Sequence, residues 1–198
     1  NFVVGINGAG NTIQNYAGNA IASAYGVYLI YHNNANVSYN TLNNILGGGS
    51  GATSIIYGIF NSTGVLSAFS ANNNNINLTT SATTSAVYGI NNAATGNLTV
   101  DNNIITINTT IANTGVVGFI YNTSAAASLT VSISNNTFVG TTLSTTGSTY
   151  LIYNNSSQLT PGVTNVTGNT VSGVINRTGR IPDRISTILE KSSSWDQR

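Results

Sequence analysis

The chain has 198 residues and a formal net charge of +1, and charged residues make up 5% of it, against roughly 25% in an average soluble domain. All five cations (Arg177, Arg180, Arg184, Lys191, Arg198) and three of the four acids (Asp183, Glu190, Asp196) lie after residue 176, which leaves residues 1–176 with Asp101 and the titratable His32. That excludes a nucleic-acid binder, which needs several Lys or Arg to release counterions from phosphates; the absence of Cys excludes a disulfide framework and a thiolate metal site.

In chain order, the first recognisable phrase is Phe2-Val3-Val4-Gly5-Ile6-Asn7. Its Tyr/Val-Gly-Ile-Asn-like form recurs with an isoleucine at Ile6, Ile30, Ile59, Ile90, Ile120 and Ile152. A second series interleaves with it: Asn11, Asn40, Asn74, Asn103, Asn136 and Asn169. Two series sharing a period of about thirty residues mean one structural unit copied about six times, the mark of a solenoid, propeller or array. The chain opens inside a repeat phrase and lacks Met, so it reads as a piece of a longer protein, and a missing signal peptide says nothing of where that protein resides. No run of 18 apolar residues occurs, so no membrane insertion is expected.

The copy from Ala86 to Thr114 gives the unit. Ala86-Val87-Tyr88-Gly89-Ile90-Asn91 is a strand rich in β-formers. Residues 92–96 read as a turn. Asn97-Leu98-Thr99-Val100 is a second strand, Asp101-Asn102-Asn103 a corner, Ile104 to Asn108 a third strand and Thr109 to Thr114 a return loop. Ser128 to Val139 and Val163 to Val171 repeat the second strand, corner and third strand. Gly and β-branched content opposes a helical solenoid, and three strands in thirty residues are too few for a propeller blade. One coil of a parallel β-helix fits, each strand pairing with its equivalent about 4.8 Å away. Asn at each corner tolerates left-handed φ, and in register its amide can donate to the next Asn in a ladder.

The candidate chemistry is sparse. His32 follows Tyr28-Leu29-Ile30-Tyr31 where other copies carry Asn61, Asn92, Asn122 or Asn154, and reads as a polar strand end. Gly47-Gly48-Gly49-Ser50-Gly51 lacks the Lys-Ser/Thr of a phosphate loop, and Gly5 to Gly10 has the wrong spacing for a dinucleotide loop. Asp101 is one carboxylate where glycoside hydrolysis commonly needs two and calcium several; it reads as a substitute for Asn in the corner. No catalytic, cofactor or metal residue is therefore assigned. In the first strand both faces look apolar: Ile55, Tyr57 and Ile59 on one side, Ile56, Gly58 and Phe60 on the other. Tyr31, Phe60, Tyr121 and Tyr153 are then expected to form an outward stripe, either covered by loops or docking a glycan or another cell-surface protein.

From Arg177 the material changes. Ile181, Ile185, Ile188 and Leu189 fall on a helical stripe behind Pro182 and Asp183. Residues 177–198 are expected to be a charged tail or an amphipathic helical cap over the last open edge, with Trp195 packed there; the alternative is an unrelated linker.

Ser132-Ile133-Ser134-Asn135-Asn136-Thr137-Phe138 and Val100-Asp101-Asn102-Asn103-Ile104-Ile105 resemble repeats of the right-handed parallel β-helix, pectin-lyase-like superfamily. Coupled with Tyr57-Gly58-Ile59-Phe60-Asn61 or Tyr88-Gly89-Ile90-Asn91, they resemble repetitive cell-surface and secreted proteins of Bacteroidota-type bacteria. The resemblance covers about residues 1–176. It implies an all-β, right-handed parallel β-helix of about six coils in an extracellular setting, and leaves activity open. The expected function is a non-enzymatic stalk or adhesin-like module, the alternative a non-catalytic segment of a β-helix polysaccharide lyase or glycoside hydrolase.

Overall fold

A computed structural model describes residues 1–17, 22–48, 55–63, 67–124, 130–156, 162–178 and 185–190. Three parallel sheets form the walls of a solenoid, each six strands deep. The first sheet stacks β1 (Phe2–Val4), β4 (Asn34–Ser38), β7 (Ser67–Asn72), β10 (Gly96–Asp101), β13 (Thr130–Ser134) and β17 (Val163–Thr167). The second stacks β2 (Thr12–Gln14), β5 (Thr41–Gly48), β8 (Asn75–Thr80), β11 (Ile104–Asn113), β14 (Thr137–Val139) and β18 (Thr170–Ser172). Beside it, β15 (Thr142–Thr145) pairs with the far end of β11 and with β19 (Asn176–Arg177). The third stacks β3 (Ala24–Ile30), β6 (Ile56–Thr63), β9 (Val87–Asn92), β12 (Val117–Asn122), β16 (Thr149–Asn154) and β20 (Ile185–Glu190). The three strands of the Ala86–Thr114 copy are present as β9, β10 and β11, but β11 runs on to Asn113, so the expected return loop from Thr109 is strand, drawn out by its pairing with β15.

The core is built from register columns. Ala35, Phe69, Leu98 and Val131 face inward from the first sheet, and Leu42, Ile76, Ile105 and Phe138 from the second. Ile59, Ile90, Ile120 and Ile152 face inward from the third. Each aliphatic side chain so buried contributes about 1.5–3 kcal/mol. Alternation explains the first two sheets, where every second residue is inside.

The third sheet departs from alternation, and here the sequence expectation fails. Ile56, Gly58 and Ile59 all face inward, while Tyr57 and Phe60 face away from the core; Ile59 is thus not on the Tyr57 side. The same departure recurs in β12 and β16, where Phe119 and Ile120, and Leu151 and Ile152, are buried in succession; at position 58 itself only glycine fits. A Cβ there would lie 2.5 Å from Gly89 O and 2.8 Å from Ile76 Cγ2, and one on Gly89 would meet Phe119 O and Ile105 Cγ2 at the same two distances.

The first coil also differs from its expected phrase. Phe2–Val4 joins the first sheet, not the third, with Phe2 paired to Ala35. Ile6 lies in an exposed reverse turn closed by the Ile6–Ala9 bridge. Ile30 pairs with Thr63 across a bulge, and Val27 takes the place opposite Ile59. So Ile59, Ile90, Ile120 and Ile152 are a true column, while Ile6 and Ile30 are not in it.

In the tail, residues 185–190 form β20, paired parallel with β16 in the register Ile152↔Ile188 and Tyr153↔Leu189. A strand replaces the expected helix there: the unpaired edge of β16 satisfies a backbone along its whole length, which outweighs the weak helical preference of β-branched Ile185 and Ile188. The Trp195 expectation, Ile181 to Arg184, and Gly49, Ser50 and Gly51 of the glycine cluster lie outside the described residues.

Candidate functional site: an aromatic belt beside two side-chain ladders

The predicted corner ladder is present in full. Each Nδ2 donates to the next Oδ1 along Asn11, Asn40, Asn74, Asn103, Asn136 and Asn169 at 2.9–3.1 Å. The same Oδ1 atoms accept the preceding asparagine's backbone N–H at 3.0–3.1 Å. The second Nδ2 hydrogen goes to the previous rung's backbone, for example Asn103 to Ala71 O at 2.7 Å and Asn136 to Val100 O at 3.0 Å. Asn40, Asn74, Asn103 and Asn136 are buried, and this wiring satisfies them as burial requires. The left-handed backbone belongs to a different residue than expected. It falls one position earlier, on Tyr39, Asn73, Asn102, Asn135 and Gly168, with φ of 54–66°. The Asn-Asn doublets thus divide two tasks: the first residue turns the corner and the second joins the rungs.

A second ladder, not foreseen, ends the third sheet's strands. Asn61, Asn92, Asn122 and Asn154 connect Nδ2 to Oδ1 at 2.7–2.8 Å. His32 caps it, with Nε2 2.6 Å from Asn61 Oδ1. Asn61 Nδ2 already donates to Asn92, so its Oδ1 is the acceptor and the network assigns the hydrogen to His32 Nε2. His32 is thus a polar strand end, as read, and also the first rung of this ladder. The signal was its alignment with four asparagines; what the alignment lacked was the inward direction of those side chains.

The belt lies one residue before this ladder, on the side of the third sheet facing away from the core. Two register columns form it: Tyr28, Phe60, Asn91, Tyr121 and Tyr153, and Tyr25, Tyr57, Tyr88, Gly118 and Tyr150. Phe60, Tyr121 and Tyr153 are brought together as expected, with Asn91 the break. Tyr31 is not: its backbone is left-handed at φ 54°, it is 85% exposed, and it lines a cleft of about 440 Å³ with Phe2, Tyr28, Ile30 and His32. Tyr28 takes its place because the bulge after Leu29 shifts the strand end. The second column was missed in the sequence, where Tyr57 was grouped with an inward isoleucine.

The rings make one continuous chain of contacts. Tyr25 stacks on Tyr57 (5.0 Å, 9°), Tyr57 on Phe60 (4.4 Å, 15°) and on Tyr88 (5.4 Å, 24°). Tyr88 meets Tyr121 tilted at 4.9 Å and 46°, and Tyr121 stacks on Tyr153 (4.3 Å, 11°). Gly118 permits the crossing: a Cβ there would stand 2.8 Å from Tyr88 Cδ1 and 3.2 Å from Tyr121 Cδ2. Parallel rings use their faces on one another, so the belt offers ring edges and phenol hydroxyls to a partner. Burial raises the phenol pKa of Tyr57, with Tyr25 and Tyr28 adding to it. Burial raises Tyr88 further, and pushes Tyr121 up to about 12 with help from Tyr153 and Tyr150.

Asp101 stands in register with Asn72 and Ser134, beside the corner ladder and not in it. Its carboxylate accepts from Ser134 Oγ (2.7 Å), Asn135 Nδ2 (2.9 Å) and Asn102 Nδ2 (2.9 Å). Among the described residues no three His, Cys, Asp or Glu gather as metal ligands. No protein-family model, curated protein or solved structure matches the chain.

Proposed function

We propose that the chain is a non-catalytic repeat module of a secreted or cell-surface protein, a stalk whose aromatic belt docks a neutral glycan or a neighbouring surface protein. The observation that carries this reading is the corner ladder running through all six rungs. A stack joined at every step by amides, buried at Asn40, Asn74, Asn103 and Asn136, resists bending and slippage, which suits a spacer. The scarcity of charge in residues 1–176 favours a neutral partner over an acidic one. Phenol hydroxyls along the belt suit the hydroxyls of a sugar. Kinship with the right-handed pectin-lyase-like β-helices, and with Bacteroidota-type surface proteins, belongs to the same proposal and rests on the repeat phrases.

A glycan array run beside a lyase assay on acidic polysaccharides tests it. Binding to neutral glycans, weakened in the Tyr121→Ala, Tyr153→Ala double variant and without product in the assay, is expected. Unsaturated product from an acidic polysaccharide would overturn the non-catalytic reading, and binding unchanged in the double variant would remove the belt as the docking surface.

A further inference from the structure

We propose that Tyr121 and Tyr153 are a covalent cross-linking site, joined carbon to carbon by a one-electron phenol oxidant of the peroxidase–peroxide class. The proposal does not depend on what the belt docks. The two residues are register partners on β12 and β16. Their rings are 4.3 Å apart and 11° from parallel. The other near-parallel tyrosine pairs are wider: Tyr25–Tyr28 at 4.6 Å and 22°, Tyr25–Tyr57 at 5.0 Å, and Tyr57–Tyr88 at 5.4 Å. Tyr121 and Tyr153 are both partly exposed, so a small oxidant or radical reaches them. Tyr57 and Phe60 stack almost as closely, at 4.4 Å and 15°, but Phe60 has no phenol and cannot react in this way.

The chemistry balances within the pair. Each phenol loses one electron and one proton, giving a phenoxyl radical whose unpaired electron is shared with the ring carbons ortho to oxygen. The two electrons pair in a new bond between ortho carbons. Each of those carbons then sheds its hydrogen as a proton, and each oxygen takes one up, restoring two aromatic phenols. The pair has lost two electrons and two protons in all, and one hydrogen peroxide becomes two waters. Stacking at van der Waals distance holds the radicals together, so coupling within the chain outruns encounter with another molecule. With no cysteine in the chain, no disulfide can tie one rung to the next; this bond would do so.

The test treats the full chain, dilute and near neutral pH, with a haem peroxidase and hydrogen peroxide. The monomer is then isolated and mapped after chymotryptic digestion, since residues 1–176 contain no Lys or Arg. A monomer lighter by two hydrogens, with dityrosine fluorescence and a linked peptide carrying Tyr121 and Tyr153, is expected. Its melting midpoint should rise by roughly 10 °C, from the loop closed in the unfolded chain. Tyr153→Phe should lose the intrachain product, and Tyr31→Phe should keep it. Cross-links found only between molecules, a linked peptide joining a different pair, or an intrachain yield untouched by Tyr153→Phe would each overturn the proposal. The wild-type map decides the pair even if a variant folds poorly.

Discussion

The corner ladder and the aromatic belt run the same length of the solenoid under opposite rules. Every rung of the ladder is Asn, from Asn11 to Asn169, whereas the belt mixes Tyr and Phe and is broken by Asn91 and Gly118. The inner rungs Asn40, Asn74, Asn103 and Asn136 are buried, and each of these amides closes hydrogen bonds for the rungs on both sides, so a foreign side chain there orphans polar atoms in both directions. The belt lies away from the core, and where a ring is absent the neighbours lean: Tyr88 crosses to Tyr121 over Gly118. The interior of a buried polar column therefore holds one residue type, with His32 tolerated only at the end of the second ladder, while an outward apolar column needs only ring contact from some direction.

The sharpest way to break this contrast is Asn103→Leu. It strips an acceptor from Asn74, a donor from Asn136 and the donor to Ala71 O, and should cost about 3–5 kcal/mol in urea unfolding. A loss under about 1 kcal/mol would mean that the ladder is ornamental. Next, Gly89→Val should cost about 2–3 kcal/mol, because its side chain would press on Phe119 O and Ile105 Cγ2; an unchanged unfolding midpoint would show that the neighbouring strands give way. The belt should respond less. Tyr121→Ala is expected to cost about 1–2 kcal/mol, and Tyr31→Ala, outside the belt, under about 0.5 kcal/mol. Equal losses in the two variants would erase the distinction between a belt residue and Tyr31.

The last contrast is with pH. An unfolded phenol gives up its proton near pH 10, whereas folded Tyr121 holds it to about 12. Between these values the unfolded chain binds fewer protons, so this stability is complete below about pH 10 and lost as pH rises through about 12. Tyr57 and Tyr88 shift in the same direction. Unfolding midpoints measured across that window should fall, and less steeply in Tyr121→Phe.

Much of the stack was legible in one dimension. The Asn series, the three strands of the Ala86–Thr114 copy and their parallel pairing follow from a repeated spacing, because equal spacing brings equal residues into register whatever the coil's shape. The six ladder residues needed no more than that. Three things were not legible. Alternation sent Ile59 to the wrong face, since every strand of the third sheet from β6 to β16 turns two successive residues inward, as Phe119 and Ile120 do in β12. Tyr31 looked like a belt residue because the bulge between Leu29 and Ile30 leaves no mark in the local sequence. Residues 185–190 carry a helical stripe and still form a strand, since the edge of β16 lies alongside them. Sequence alone determined which residues repeat, and hence that rungs stack; repetition is a property of the chain itself. Which way each side chain points, and which ring touches which, was decided by the adjacent rung, because a Cβ finds its space only once the next coil is in place.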